Sequence, residues 1–164
     1  MKEKMPKSLI IRSRSEACVD SGKGFVSATG PHTNTAGGDM RFAKFGTGSS
    51  KVIRITKLIF SADGTARWRV TQAPTTTADG TAQTVKNRRM GKGQSNEGVL
   101  YYGPTVTAEG DLVYDQWVNP ATALVLDLTL SPWVLDPGNS ILFTFSSSAG
   151  GNGSMSIEWD EEPS

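Results

Sequence analysis

A chain of 164 residues is long enough for one domain with a real core and too short for two comfortable ones. Apolar residues make up only 37% of it, and with 18 glycines that balance suits many short strands joined by polar turns rather than a helical bundle. The formal net charge of +1 argues against a dedicated nucleic-acid binder. The single cysteine, Cys18, excludes a disulfide framework and a thiolate zinc site, and the single histidine, His32, excludes a multi-histidine metal centre. No stretch approaches the ~20 apolar residues of a membrane span. Leu9-Ile10-Ile11 is too short for the apolar core of a secretory signal, so the chain is expected to be made in a reducing cytoplasm.

Residues 1–50 differ from the rest. Gly24-Phe25-Val26 reads as one short strand and Leu9-Ile10-Ile11 as another, but the sequence around them is rich in Gly, Ser, Thr and Asn. Such sequence buries too little apolar surface to offset the entropy of ordering it. Residues 1–50 are therefore expected to form an extended N-terminal arm ordered by lying on a neighbouring molecule, and residues 51–164 a β-sandwich domain. The arm is basic, with Lys2, Lys4, Lys7, Arg12 and Arg14 against Glu3, whereas the chain ends in Glu158, Asp160, Glu161 and Glu162. Two solvated termini are expected, with attraction of the opposite charges between neighbouring copies as the alternative.

From Val52 onward apolar and β-branched runs stop repeatedly at an acid followed by Gly: Ala62-Asp63-Gly64, Ala78-Asp79-Gly80 and Ala108-Glu109-Gly110. Gly accepts positive φ and Asp bonds its own backbone, so these are turns between antiparallel strands. Pro74–Ala82 (PTTTADGTA) aligns with Pro104–Leu112 (PTVTAEGDL), which suggests equivalent connections at one end of a sandwich. In Lys51–Phe60 one alternating set holds Ile53, Ile55 and Ile59 and the other mixes Arg54 and Thr56 with Val52, Leu58 and Phe60, the pattern of a strand buried on one face and partly covered on the other. In the strict alternation of Ala66–Gln72, Ala66, Trp68 and Val70 face the core.

Residues 83–98 (QTVKNRRMGKGQSNEG) form a basic, flexible loop in which Lys86, Arg88, Arg89 and Lys92 are candidate partner contacts, together with the five cations of the arm. With no aromatic residue interleaved, an acidic patch on a protein suits them better than nucleic acid. Val99–Tyr102 and Leu112–Val118 are expected to pair around the third turn. Their Tyr101, Tyr102, Tyr114 and Trp117 are expected mainly to pack in the core, with a carbohydrate-stacking platform as the alternative. Leu124, Leu126, Leu128 and Leu130 recur at period two, and after the Pro137-Gly138 bend Ile141–Ser146 and Ser154–Trp159 read as a closing hairpin. The expected fold is all-β: an antiparallel, jelly-roll-like sandwich.

No catalytic constellation is legible. His32 lies in a loop with no nucleophile motif, the acids sit mostly in turns, and no calcium-loop spacing occurs, so the sequence points to no catalytic residue, no metal and no cofactor.

The series ARWRVTQAPTTTADGTAQTVKNRR, LYYGPTVTAEGDLVYDQWV, WVLDPGNSILFTFSS and SIEWDEE resembles small structural proteins of tailed bacteriophages and prophages, over Ala66 to Glu162. The chain departs from that pattern at residues 119–130, where a Leu-rich strand replaces a Gly-rich loop. The resemblance implies a virion component on the capsid surface, a decoration or cement protein or head-fibre-like protein. It further implies a β-sandwich homotrimer whose partners are its own copies and the major capsid protein. A receptor-binding module of a tail or fibre is the alternative that it leaves open.

Overall fold

The computed structural model describes residues 14–35, 37–91, 96–120 and 122–164. A short helix, α1 (Arg14–Asp20), comes first. The polar first third then supplies β1 (Gly24–Ala28), β2 (His32–Asn34) and β3 (Asp39–Gly46). The middle supplies β4 (Lys51–Ala62), β5 (Ala66–Gln72), β6 (Thr75–Ala78), β7 (Thr81–Ala82) and β8 (Val85–Asn87). The last third supplies β9 (Val99–Tyr102), β10 (Thr105–Ala108), β11 (Asp111–Val118), β12 (Leu124–Asp127), β13 (Trp133–Leu135), β14 (Ser140–Ser147) and β15 (Gly151–Pro163).

Two antiparallel sheets face each other across the core. One runs β12-β4-β15-β1-β8, with β13 also on β4 and β2 also on β15; the other runs β11-β5-β14-β3-β9-β7. Two tryptophans anchor the interior. Trp68 of β5 stacks on Phe60 of β4 at 4.8 Å, with Phe42 at 5.0 Å and Phe145 at 4.8 Å. Trp159 of β15 meets Phe45 at 4.9 Å and Phe25 at 5.9 Å. Each of these aromatic side chains is essentially inaccessible to water, worth about 2–3 kcal/mol of burial apiece.

The expectation of a separate arm over residues 1–50 is overturned wherever that segment is described. β3 lies between β14 and β9, and β1 between β15 and β8, so both are interior strands. Phe25, Phe42, Ala43 and Phe45 supply enough apolar surface to order them, and the Gly- and Ser-rich sequence forms the links. The seven-residue α1 had no sequence signal. The strand expected at Leu9-Ile10-Ile11 lies outside the described residues.

Two further expectations change. β14 and β15 are not a hairpin: they belong to opposite sheets, so the faces of Ile141, Phe143 and Phe145 and of Met155, Ile157 and Trp159 meet across the core instead of side by side. The mixed pattern of β4 has a different cause from partial cover. Lys57 pairs with Glu158 and Ile55 with Trp159, leaving Thr56 as an extra residue, and this bulge reverses which alternate residues point inward. Ile53 and Ile55 are buried before it; Leu58, Phe60 and Ala62 after it.

The duplicated segments are equivalent in the fold. β6 and β10, one from each copy, pair antiparallel with each other as a separate ribbon. The following strands then cross over, β7 joining β9 of the other copy and β11 joining β5. Gly80 and Gly110 hold corresponding positions at φ 96° and 82°. A Cβ on Gly80 would strike the Tyr102 carbonyl, and one on Gly110 the Gln72 carbonyl. The turn acids fasten the ribbon to the sheet: Asp79 pairs with Lys44, and Glu109 with Arg41.

Candidate interaction surface

The cations singled out from the sequence do not form one patch. Lys2, Lys4, Lys7, Arg12 and Lys92 lie outside the described residues. Arg14, at the start of α1, donates through Nε to Glu162 at 2.7 Å, and a second bond through Nη2 completes the pair. Arg54 adds a donor at 3.2 Å, and the two guanidiniums, Arg14 foremost, hold the Glu162 carboxyl below its ordinary range. Where described, the basic head is thus matched to the acidic tail within one chain.

The rest of that tail is also engaged internally, because β15 runs through the interior of its sheet. Glu161 is buried, and its carboxylate accepts from Glu97 N at 2.9 Å, Gly98 N at 2.9 Å, Trp159 Nε1 at 3.0 Å and Lys51 Nζ at 2.9 Å. Four donors around one carboxylate clamp the connection before β9 onto the sheet.

Lys86, Arg88 and Arg89 do converge, at and just after β8. Arg88 pairs with Glu158 at 3.2 Å and with Asp160 at 3.8 Å, while Lys86 and Arg89 are exposed. With Val26, Lys57 and Met90 they line an open recess of about 690 Å³.

The four aromatic candidates are not a cluster. β9 and β11 do not pair, as the sequence suggested, but lie apart in the six-stranded sheet, with β3, β14 and β5 between them. Four interstrand steps separate them by roughly 19 Å. Tyr102 stacks on His32 at 3.4 Å, and Phe42 meets both rings edge-on, so these groups form a rim of the core. His32 therefore sits in β2 against aromatic rings rather than in an isolated loop. Tyr114 turns toward Trp133 at 6.4 Å, and burial pushes the hydroxyl pKa of Tyr102 and Tyr114 up. Of the four, Trp117 alone is exposed.

Trp117 belongs to a different feature. β11 ends one sheet, and β12 and β13 follow one another along the outer side of β4 at the end of the other. The Tyr114–Trp133 contact shows that both ends lie on the same lateral side of the sandwich. Six large apolar side chains are exposed on these end elements: Leu112, Val113 and Trp117 on β11, Val125 on β12, Leu130 on the connecting turn and Val134 on β13; Trp117 points outward from its sheet beside Arg67, and Val125 and Val134 outward from theirs beside Ile59 and Arg54. Leu130 is 99% exposed, so the period-two leucine run that predicts a buried residue fails at its last member. Between the two sheet ends an open recess of about 430 Å³ is lined by Val113, Trp133, Val134 and Ile141. Sequence periodicity had not identified this strip, because an apolar residue on an end strand has the same local pattern as one facing a core. Only the strand order separates the two.

Among the described residues, no group of three or more His, Cys, Asp or Glu side chains is placed to hold a metal ion, and no helix is long and apolar enough to cross a membrane. Compared with protein-family models, curated proteins and solved structures, the chain shows no match.

Proposed function

We propose that this chain is a structural protein of a tailed-phage particle, a decoration or cement protein that binds its own copies and the major capsid protein on the head surface. The observation that carries the proposal is the exposed apolar strip along β11, β12 and β13. A monomeric protein seldom leaves so many large apolar side chains exposed along its open sheet ends, whereas a subunit of an ordered array covers them. The rigid double-aromatic core suits the same role, since repeated weak contacts on a lattice sum only if each subunit keeps its shape. The resemblance of residues 66–162 to phage structural proteins supplies the particle. The contact surface proposed here is the sandwich edge rather than an arm, because β1 and β3 are interior strands.

Particles purified from a lysate of the phage or prophage that encodes the chain should contain it, at a copy number in fixed ratio to the major capsid protein. Its absence from purified particles contradicts the proposal. The receptor-binding alternative loses its shared platform with the separation of Tyr101 and Tyr102 from Tyr114 and Trp117.

A further inference from the structure

The two lateral sides of the sandwich differ in a way that makes them fit one another. The β11–β13 side is long and apolar. Residues 111–136, which build it, carry Asp111, Asp115, Asp127 and Asp136 and no Lys, Arg or His. The opposite side is short and basic: β7 has two residues, β8 has three, and residues 83–91 carry Lys86, Arg88 and Arg89 with no acid. β12 and β8 are, moreover, the two ends of the same sheet. Met90, also exposed, lines together with Val26, Lys57, Lys86 and Glu158 a recess on the outer face of that sheet, which reaches from β4 to β8.

We propose that copies of this chain associate head to tail, the apolar and acidic β12–β13 side of one sandwich docking on the basic β8 side of the next. The proposal deepens the decoration reading and rests on it only for the setting on a particle. Apolar strip and charge work together here. Leu130, projecting from the turn between β12 and β13, enters the recess that β8 borders, while Lys86 meets Asp111 and Asp136, which form no ion pair among the described residues. Asp115 and Arg88 are already held within the chain, by Arg67 and by Glu158, so they contribute little to the pairing. Joining unlike surfaces generates a ring if the rotation closes and a filament if it does not, whereas a two-fold dimer would join like surfaces. The sign of the charge favours the former, because two β11–β13 sides would bring acid against acid.

The test is the solution mass of the full chain by sedimentation velocity, which needs no capsid and so stands apart from particle binding. Wild type is expected as an oligomer of the 17.5 kDa chain at about 100 µM. Leu130→Glu and Lys86→Glu, both at exposed positions, are each expected to weaken association at least about tenfold while keeping the wild-type thermal transition. An equimolar mixture of these two variants should give a one-to-one dimer and nothing larger, because each variant retains one intact side. Three results would overturn the proposal: monomeric wild type at that concentration, variants that associate like wild type, or a mixture of monomeric variants that stays monomeric. Particle binding by a monomeric variant would leave the decoration reading standing by itself.

Discussion

Glu161 shows how one residue in an acidic tail can be structural. The sequence presents Glu158, Asp160, Glu161 and Glu162 as a solvated, interacting end, yet Glu161 is buried under four donors. Replacing it with Gln swaps one acceptor oxygen for an NH2 that confronts N–H groups. Glu161→Gln should therefore cost about 2–3 kcal/mol in chemical denaturation; an unchanged midpoint would show that the clamp contributes nothing. Other carboxylates act through charge. Asp115 is held below its ordinary range by Arg67, Asp39 by the Ser146 hydroxyl and Arg69, Asp79 by Lys44, and Glu162 by Arg14 and Arg54. A depressed folded-state pKa gives stability that is present above the unfolded value and lost as pH falls through the folded one. The melting temperature should thus decline below about pH 4, with Asp115 and Glu162 contributing most because they are the less exposed members. A melting temperature constant down to about pH 3 would contradict this.

At the scale of elements, the paired repeats make a sharper prediction. Ala73 occupies the position in the first copy that Gly103 occupies in the second, and both adopt positive φ, 53° and 67°. Gly103 does so freely, whereas Ala73 crowds its own Cβ. Ala73→Gly should stabilise the fold by about 1 kcal/mol, while Gly110→Ala should destabilise it by more than that, since its Cβ would meet backbone from the other repeat. Opposite signs in thermal melts confirm the equivalence; a destabilising Ala73→Gly would refute it. The duplication itself was legible in PTTTADGTA and PTVTAEGDL, as was the inward set of β5. Pairing was not, because period two fixes which face a side chain takes but leaves open which strand lies beside it. Hence β9 and β11 looked like neighbours, β14 and β15 like a hairpin, and β3 like part of an arm. The Thr56 bulge was hidden for a related reason: one inserted residue shifts the phase, and a phase shift in sequence looks like a strand covered on both sides.

For the molecule as a whole, the all-β sandwich was legible, but the surface by which it would act was not. Charged residues drew attention to the two chain ends, and the structure ties Arg14 to Glu162 and runs the tail through the interior of a sheet. The exposed apolar residues arise from strand order, which puts β11 at the end of one sheet and β12 and β13 at the end of the other, with Val113 and Val134 lining the recess between them. Removing residues 1–50 would take β1 and β3 out of both sheets, so that deletion cannot separate attachment from folding. The most direct measurement is a cryo-electron microscopy map of the intact particle at side-chain resolution. It should place the sandwich on the capsid surface with β11, β12 and β13 covered by a neighbouring subunit; a map with this strip facing solvent in every copy would contradict the proposed role of the strip.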